Sequence, residues 1–254
     1  PTRGEVKVMA HLLSLSSVSK TFSSGTEALE AVDLDVAEGE FLTLVGPSGC
    51  GKSTVLRLIA GLIAPSRGTV TFANGKPETA FVFQESTLMP WANVLGNARL
   101  ALDLEGVARG EAEARAAQAL ARVGMNGFEL AYPRELSGGM KMRVSIARAM
   151  AAKPKLLLMD EPFAALDELA RQALNDDLLK LWREDGLTVI FVTHSVYESA
   201  YLSSRVAVMS PRPGRIAAEI ALKQPMAREE SYRLTPEFSD AARRISDALK
   251  AKAA

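Results

Sequence analysis

Hydrophobic residues recur along the chain in short, nearly continuous runs, and segments with helical spacing separate them. The clearest runs cover residues 41–45, 80–83, 156–159 and 189–192, and each is apolar on both faces that a strand would present. Strands that helices cover on both sides have this pattern, which is typical of parallel sheets. The alternation therefore predicts an α/β domain with a largely parallel, buried sheet.

A different pattern lies between the second and third of these runs. Residues 110–123 are rich in alanine and in charged side chains, which favours a surface helix. We therefore expect an inserted helical lobe at about residues 86–140.

The C-terminal end carries the signals of a helix start. Thr235, Pro236 and Glu237 combine an N-cap residue, a first-turn proline and an early acid. Apolar residues then follow at helical spacing, namely Ala241, Ile245, Ala248 and Leu249. They predict an amphipathic helix packed on the body, so we expect a main domain at residues 9–225 and a helical tail at 226–254.

Polar residues follow each of the four predicted strands. Gly46 follows the first, Gln84 the second, Asp160 and Glu161 the third, and His194 the fourth. Ligands of open α/β sheets bind beyond the carboxyl ends of the strands. We therefore expect these side chains to converge on one site.

The first strand end carries a glycine-rich loop that matches the pattern GxxxxGK[ST] and precedes a helical run at residues 54–60. Glycines let backbone N–H groups turn toward phosphate oxygens, and the next helix presents its positive end to the same anion. Lys52 adds a charge at the β and γ phosphates, and Ser53 offers a hydroxyl to Mg²⁺. A glycine-rich turn without a ligand is the alternative. The candidate nucleotide-binding residues here are Gly46, Pro47, Ser48, Gly49, Cys50, Gly51, Lys52, Ser53 and Thr54.

The other strand ends offer metal-binding and catalytic groups. The carboxylate of Asp160 is suited to binding Mg²⁺, and that of Glu161 is suited to activating the water that attacks the γ-phosphate. The alternative is that both are surface carboxylates in a turn. His194 is a candidate contact of the γ-phosphate or of this water, although a lone histidine is usually structural. Gln84 is a weaker candidate for metal binding and catalysis. Phe22 could stack on adenine, although an aromatic residue near a strand is more often part of the core.

Composition makes several other classes of protein less favoured. Thirty acidic and thirty basic residues give a formal net charge of zero, so charge does not favour binding along DNA or RNA. The apolar runs are shorter than the roughly 18 residues that span a bilayer. The single cysteine, Cys50, excludes an internal disulfide; it either packs as a small side chain or, if accessible in an electropositive loop, is unusually reactive.

A further segment identifies a family resemblance. Residues 136–140 read Leu-Ser-Gly-Gly-Met and precede Lys-Met-Arg-Val-Ser-Ile-Ala-Arg-Ala, which resembles the signature motif of ATP-binding cassette (ABC) ATPases. The family's other motifs appear in order over about residues 12–216, including Ala-Leu-Asp at 165–167. The resemblance implies a P-loop nucleoside triphosphatase core with an antiparallel β region near the N-terminus, and ATP and Mg²⁺ as cofactors.

The resemblance also implies an assembly that the residues alone do not. In this family two subunits pack head to tail, so that each ATP lies between the phosphate loop of one subunit and the signature motif of the other, which corresponds here to residues 136–140. The signature residues that would contact nucleotide are Ser137, Gly138, Gly139 and Met140, and Asp167 would lie at the dimer seam. Two residues differ from the common family pattern: Met140 stands where the signature motif commonly has glutamine, and Phe22 stands at the adenine-stacking position, where tyrosine is frequent.

Two shorter segments indicate a subgroup. Residues 88–94 and 210–216 resemble those of importers of the nitrate, sulfonate and taurine group. In that group the loop that corresponds to the one carrying Trp91 helps to receive a coupling helix of the permease. A buried tryptophan in a turn is the alternative.

The resemblance also implies partners and a location. The implied partners are a second copy of the chain, separate permease subunits and, indirectly, a solute-binding protein, at the cytoplasmic face of the inner membrane, where the chain would be peripheral. Alternative functions are a P-loop kinase or GTPase, or an ABC-type protein of DNA repair or translation.

Overall fold

The computed structural model describes residues 11–223, 228 and 230–253. The predicted domain limits at residue 9 and at 225/226 lie outside or at the edge of this part. In chain order the strands are β1 (His11–Thr21), β2 (Glu27–Ala37), β3 (Phe41–Val45), β4 (Arg67–Phe72), β5 (Thr79–Val82), β6 (Leu156–Asp160), β7 (Thr188–Thr193), β8 (Arg205–Met209) and β9 (Ile216–Ala221). The helices are α1 (Lys52–Ile59), α2 (Val94–Leu104), α3 (Arg109–Arg122), α4 (Gly138–Ala151), α5 (Glu168–Asp185), α6 (Val196–Leu202) and α7 (Pro236–Ala253).

The strands form two sheets. The first is antiparallel, in the order β2–β1–β4, and the second has the order β5–β6–β7–β3–β8–β9. All neighbours in the second sheet run parallel except β9, which pairs antiparallel with β8. The prediction of a largely parallel sheet with an antiparallel region near the N-terminus is confirmed.

The central strands are buried on both faces because each face belongs to a different core. Every residue of β3, β6 and β7 is buried. Leu157 and Met159 face the core formed with α2 to α7, whereas Leu156 and Leu158 face the core formed with α1 and the antiparallel sheet. Since successive side chains of a strand point to opposite faces, two cores require the nearly continuous apolar runs seen in the sequence.

The strand β5 departs from this pattern. It lies at an edge of the sheet, and only Val82 among its residues is fully buried. It ends at Val82, and the side chain of Phe83, which was predicted to end the strand, is 38% exposed. The run is covered on both faces only in part, because Ala80 and Phe81 pack at the margins of the two cores and are only half-buried.

Three helices pack together between β5 and β6. The helix α2 contacts both α3 and α4, and the predicted helix at 110–123 corresponds to α3. The helix α4, which begins in the signature segment, extends this group to Ala151. No helix in the described ranges is both long and apolar enough to cross a membrane.

The helix α7 begins and packs as its sequence predicts. The Thr235 hydroxyl accepts a hydrogen bond from the N–H of Phe238 at 3.2 Å, which is an N-cap interaction. Phe238, Ala241 and Ile245 are buried, and Ala248 and Leu249 pack at the margin of the same core. The predicted amphipathic helix packed on the body is therefore confirmed.

Truncating the buried face of this helix is expected to destabilise the fold. Ile245 is fully buried, so Ile245→Ala leaves a cavity and should lower the free energy of unfolding by about 2–5 kcal/mol. Chemical denaturation checks this value. Lys250→Ala on the exposed side of α7 is the control, and equal stability of the two variants would show that α7 is not part of the cooperative unit.

Candidate functional site

The glycine-rich loop of residues 46–53, here called the phosphate loop, connects β3 to α1. Gly51 has φ 104°, and a Cβ there would lie 2.6 Å from Leu29 Cδ2 and 2.9 Å from the Ala28 carbonyl oxygen. Both observations require glycine. No side chain caps the start of α1, so its first N–H groups are available to an anion.

Lys52 is held inside this loop. Its side chain is only 4% exposed, and its Nζ donates to the carbonyl oxygens of Gly46 at 2.9 Å and Pro47 at 3.1 Å. These contacts hold the ammonium group against the backbone at the beginning of the loop. The loop therefore presents one full positive charge and a set of backbone donors to the same space.

A hydroxyl and a carboxylate meet beside the loop. Ser53 Oγ donates to Asp160 Oδ1 at 2.7 Å, which joins the start of α1 to the end of β6. Asp160 is buried, and this burial raises the pKa of its carboxyl group, because desolvation disfavours the charged form. Both are oxygen ligands of the kind that Mg²⁺ prefers. The described residues contain no group of three or more His, Cys, Asp and Glu side chains with metal-binding geometry.

Glu161 lies between the ends of three neighbouring strands. Its Oε1 is 3.7 Å from Lys52 Nζ, and its Oε2 is 3.3 Å from Nδ1 of His194, which follows β7. The backbone of Glu161 adopts φ 47°, a left-handed conformation that is unusual for a glutamate and costs on the order of 1 kcal/mol. The strand ends thus bring together Lys52, Asp160, Glu161 and His194, as the sequence predicts.

A cleft of about 420 Å³ extends from these groups toward Phe22. Phe22 is 37% exposed, and Gln84 joins it in the wall of the cleft, so both predicted residues lie near the phosphate loop. The lining residues are Phe22, Thr26, Ala28, Ser48, Gly49, Gly51, Lys52, Ser53, Thr54, Gln84, Glu161 and Arg212.

Arg212 is the one basic residue of this cleft that the sequence did not indicate as a site residue. Its Nε donates to the carbonyl oxygen of Gly49 in the phosphate loop at 3.1 Å. The two residues are 163 positions apart, and Arg212 belongs to the segment at 210–216, which the sequence linked only to a subgroup. No motif or spacing pointed to its position in the cleft.

Cys50 corrects one of the sequence interpretations. Its side chain is 1% exposed, and burial raises the pKa of the thiol. The Sγ atom packs against Gly46, where an added Cβ would lie 2.9 Å from it. The hypothesis of an accessible, reactive thiol is wrong, and the alternative of a small packed side chain is right, because the thiol points away from the cleft into the core beneath the loop.

The signature segment forms a second helix start elsewhere on the chain. The Ser137 hydroxyl caps α4 by accepting from Met140 N–H at 3.2 Å, and the Asp167 carboxylate caps α5 by accepting from Ala170 N–H at 2.9 Å. Added Cβ atoms at Gly138 and Gly139 would lie 3.5 Å from side chains near the start of α5, an ordinary van der Waals distance. In the described part of the chain, residues 137–140 and 167 do not line the cleft at the phosphate loop.

Comparisons with known proteins show which family the chain resembles. The sequence profile of the ABC transporter family matches residues 29–164. An uncharacterized ABC transporter ATP-binding protein of Methanocaldococcus jannaschii is 44% identical over 254 residues, which cover 98% of this chain and 94% of the relative. A taurine import ATP-binding protein of Yersinia pestis is 41% identical over 203 residues, which cover 78% and 80% of the two chains.

Solved structures show the same fold. A dimeric ATP-binding cassette in a post-hydrolysis state, bound to ADP and Pi, aligns with a TM-score of 0.75 and 33% identity over 84% of this chain and all of the other. A component of an ABC transporter complex of Clostridium perfringens aligns with a TM-score of 0.75 and 27% identity, over 82% and 88% of the two chains.

Proposed function

Because the chain belongs to the ABC transporter family and is an ATPase, we propose that it drives uptake of a small solute through separate permease subunits, working as a homodimer. The observation that carries this proposal is the meeting of Lys52, Ser53, Asp160, Glu161 and His194 at the carboxyl ends of β3, β6 and β7. Triphosphate hydrolysis needs a cation, oxygen ligands for a metal and a base. Here Lys52, the pair Ser53 and Asp160, and Glu161 lie next to one another.

ATP would occupy the cleft with its triphosphate on the phosphate loop and its adenine against Phe22. The N–H groups at the start of α1 would hold the phosphates, and Lys52 would reach the β and γ phosphates. The Ser53 hydroxyl, the Asp160 carboxylate and the amide oxygen of Gln84 would hold Mg²⁺, which supplies charge neutralisation at the phosphates when bound.

Glu161 is the general base of the proposed reaction. A water oxygen forms a bond to the γ-phosphorus, the bond from that phosphorus to the bridging oxygen of ADP breaks, and the water proton passes to the Glu161 carboxylate. His194 contacts Oε2 of this carboxylate, so it would orient the base and the water. Lys52 Nζ lies 3.7 Å from Oε1 of the same carboxylate, so the cation and the base are adjacent in the cleft.

The second half of each ATP site would come from another copy of the chain. Within one chain the start of α4 does not face the cleft, and packing does not require glycine at 138 or 139. Glycine there is instead suited to close approach of a phosphate to the backbone N–H groups of Ser137–Gly139. We propose that ATP closes two copies head to tail, with Met140 and Asp167 at the seam, and that hydrolysis separates them.

The importer assignment rests on the loop that follows Gln84. Trp91 is 76% exposed, so the alternative of a buried tryptophan is wrong. The loop is nevertheless fixed, because the buried Asn97 accepts from Met89 N–H at 2.7 Å and donates to the carbonyl oxygens of Met89 and Ala92. We propose that this exposed tryptophan, on a loop held by Asn97, receives a permease helix at the cytoplasmic face of the membrane.

The proposed solute is of the nitrate, sulfonate or taurine type or related, delivered by a separate solute-binding protein, in keeping with the name of the taurine import relative. We also propose that residues 9–225 form the ATPase domain, with its helical lobe at about 86–140, and that 226–254 form its tail. A kinase or GTPase function would account for residues 46–53 only, and the balanced charge disfavours a role in DNA repair or translation.

Truncating Trp91 tests the permease contact. Trp91→Ala is expected to retain ATP binding but to lose about 2 kcal/mol of permease affinity, about thirtyfold, because exposed tryptophans are frequent interface hot spots. The measurement is copurification of permease polypeptides with the tagged chain from detergent-solubilised membranes. The control is Leu104→Ala, another exposed apolar residue, on α2. Undiminished copurification with Trp91→Ala, or recovery of nucleic acid in place of a permease, would contradict the assignment.

A further inference from the structure

We propose that Arg212 is a second cation for the nucleotide phosphates, which acts beside Lys52 and is supplied by the turn between β8 and β9. This inference rests on the proposed function, since it assigns a ligand to the same cleft. Arg212 is exposed and lines the cleft, and its Nε donates to the Gly49 carbonyl oxygen at 3.1 Å. Its guanidinium therefore lies against the middle of the phosphate loop.

The turn that carries Arg212 is held on two sides. On one side it joins β2, because Gly214 N–H donates to Ala28 O and Glu30 N–H donates to Gly214 O, each at 3.0 Å. On the other side it touches the phosphate loop so closely that an added Cβ at Gly214 would overlap with the Cys50 carbonyl oxygen. These contacts fix the turn relative to the loop, so the position of Arg212 does not depend on its own hydrogen bond alone.

The charge of Arg212 is free for a ligand. The neighbouring Arg215 pairs with Glu30 at 2.6 Å, whereas no carboxylate in the described part of the chain forms an ion pair with Arg212. A guanidinium has five N–H donors, and Gly49 uses only the one on Nε. The remaining donors lie on the planar fork that suits bidentate binding of phosphate oxygens.

The position along the loop indicates which phosphates Arg212 would contact. Backbone N–H groups of such a loop hold the α and β phosphates, while the lysine at its end reaches the β and γ phosphates. Arg212 is attached to Gly49, three residues before Lys52. It is therefore assigned to the α and β phosphates, which ADP and ATP share.

The test is the affinity of the purified full-length chain for ADP, measured by titration calorimetry at low salt. Arg212→Ala is expected to weaken ADP binding about tenfold, because a charge-assisted hydrogen bond to phosphate is lost. Arg212→Gln, which keeps a donor for Gly49 O but removes the charge, should weaken it to a similar extent. Arg215→Ala, the matched arginine of the same turn, should bind ADP as the wild type does.

Each other outcome overturns the assignment. Lys52→Ala, which removes the cation of the phosphate loop, is expected to weaken ADP binding as well. If it does, while Arg212→Ala and Arg212→Gln keep the wild-type ADP affinity, the role of Arg212 is refuted and the proposed function is left intact. A variant that binds ADP normally but fails to dimerise with ATP would place Arg212 at the subunit interface instead. A wild-type chain that binds no ADP would overturn both the inference and the proposed function.

Discussion

Replacing Glu161 by glutamine is expected to lower ATP turnover by about 10²- to 10⁴-fold while ATP binding is retained. The amide has the shape of the carboxylate but cannot accept the proton of the attacking water. Lys52 and Ser53, which would bind phosphate and metal, are unchanged, so ATP still enters the cleft. Since hydrolysis would separate the proposed dimer, the ATP-bound dimer should accumulate.

Two measurements check this result. Phosphate release gives the turnover, and sedimentation with and without ATP gives the fraction of dimer. Glu168→Gln is a suitable control, because Glu168 is also a glutamate beyond the end of β6 but its exposed side chain pairs with Arg171 on the surface of α5. Turnover of Glu161→Gln at the wild-type rate would remove the assignment of Glu161 as the base.

Ser137→Arg is expected to abolish hydrolysis without unfolding the monomer. Ser137 is exposed, so a long side chain fits within one chain, and the loss of its cap on α4 costs only about 1 kcal/mol. In the proposed dimer, however, that side chain would occupy the space of the phosphates bound by the other subunit. Circular dichroism should report an intact fold, and phosphate release should fall to background.

Mixing two inactive variants sharpens this prediction. Consider a dimer of one Lys52→Ala subunit and one Ser137→Arg subunit. The site that combines the phosphate loop of the first with the signature segment of the second carries both changes, and the other site carries neither. Random pairing should therefore restore about one quarter of wild-type activity, since half of the dimers are mixed and each has one intact site. If both residues served the same site of a single chain, mixing would restore nothing, and the head-to-tail arrangement would be refuted.

Much of the fold follows from the sequence because the relevant signals are local. The strands β3, β6 and β7 are predicted to within a residue or two at each end, since nearly continuous apolar runs form only where two cores cover a strand. The cap at Thr235 depends on residues within one helical turn. The run at 80–83 forms the predicted strand but is only partly buried, because composition does not reveal which strand lies at the edge of a sheet.

In the candidate site, too, some features follow from local sequence signals and others do not. Local spacing and the rule that strand ends meet at one edge were enough to predict that Lys52, Glu161 and His194 converge. For Cys50 and Trp91 the sequence left a buried and an exposed alternative open, because exposure depends on neighbours that are remote in sequence. The structure decided that Cys50 is buried and that Trp91 is exposed.

The sequence by itself determined the family, the phosphate loop and the chemistry at each strand end, because these depend on residue types at short, fixed spacing. Only the tertiary structure decided that Arg212 donates to Gly49 across 163 positions and that the start of the signature helix does not line the cleft at its own phosphate loop. The physical reason is that packing and sheet register, which involve the whole chain, set the distances between remote residues.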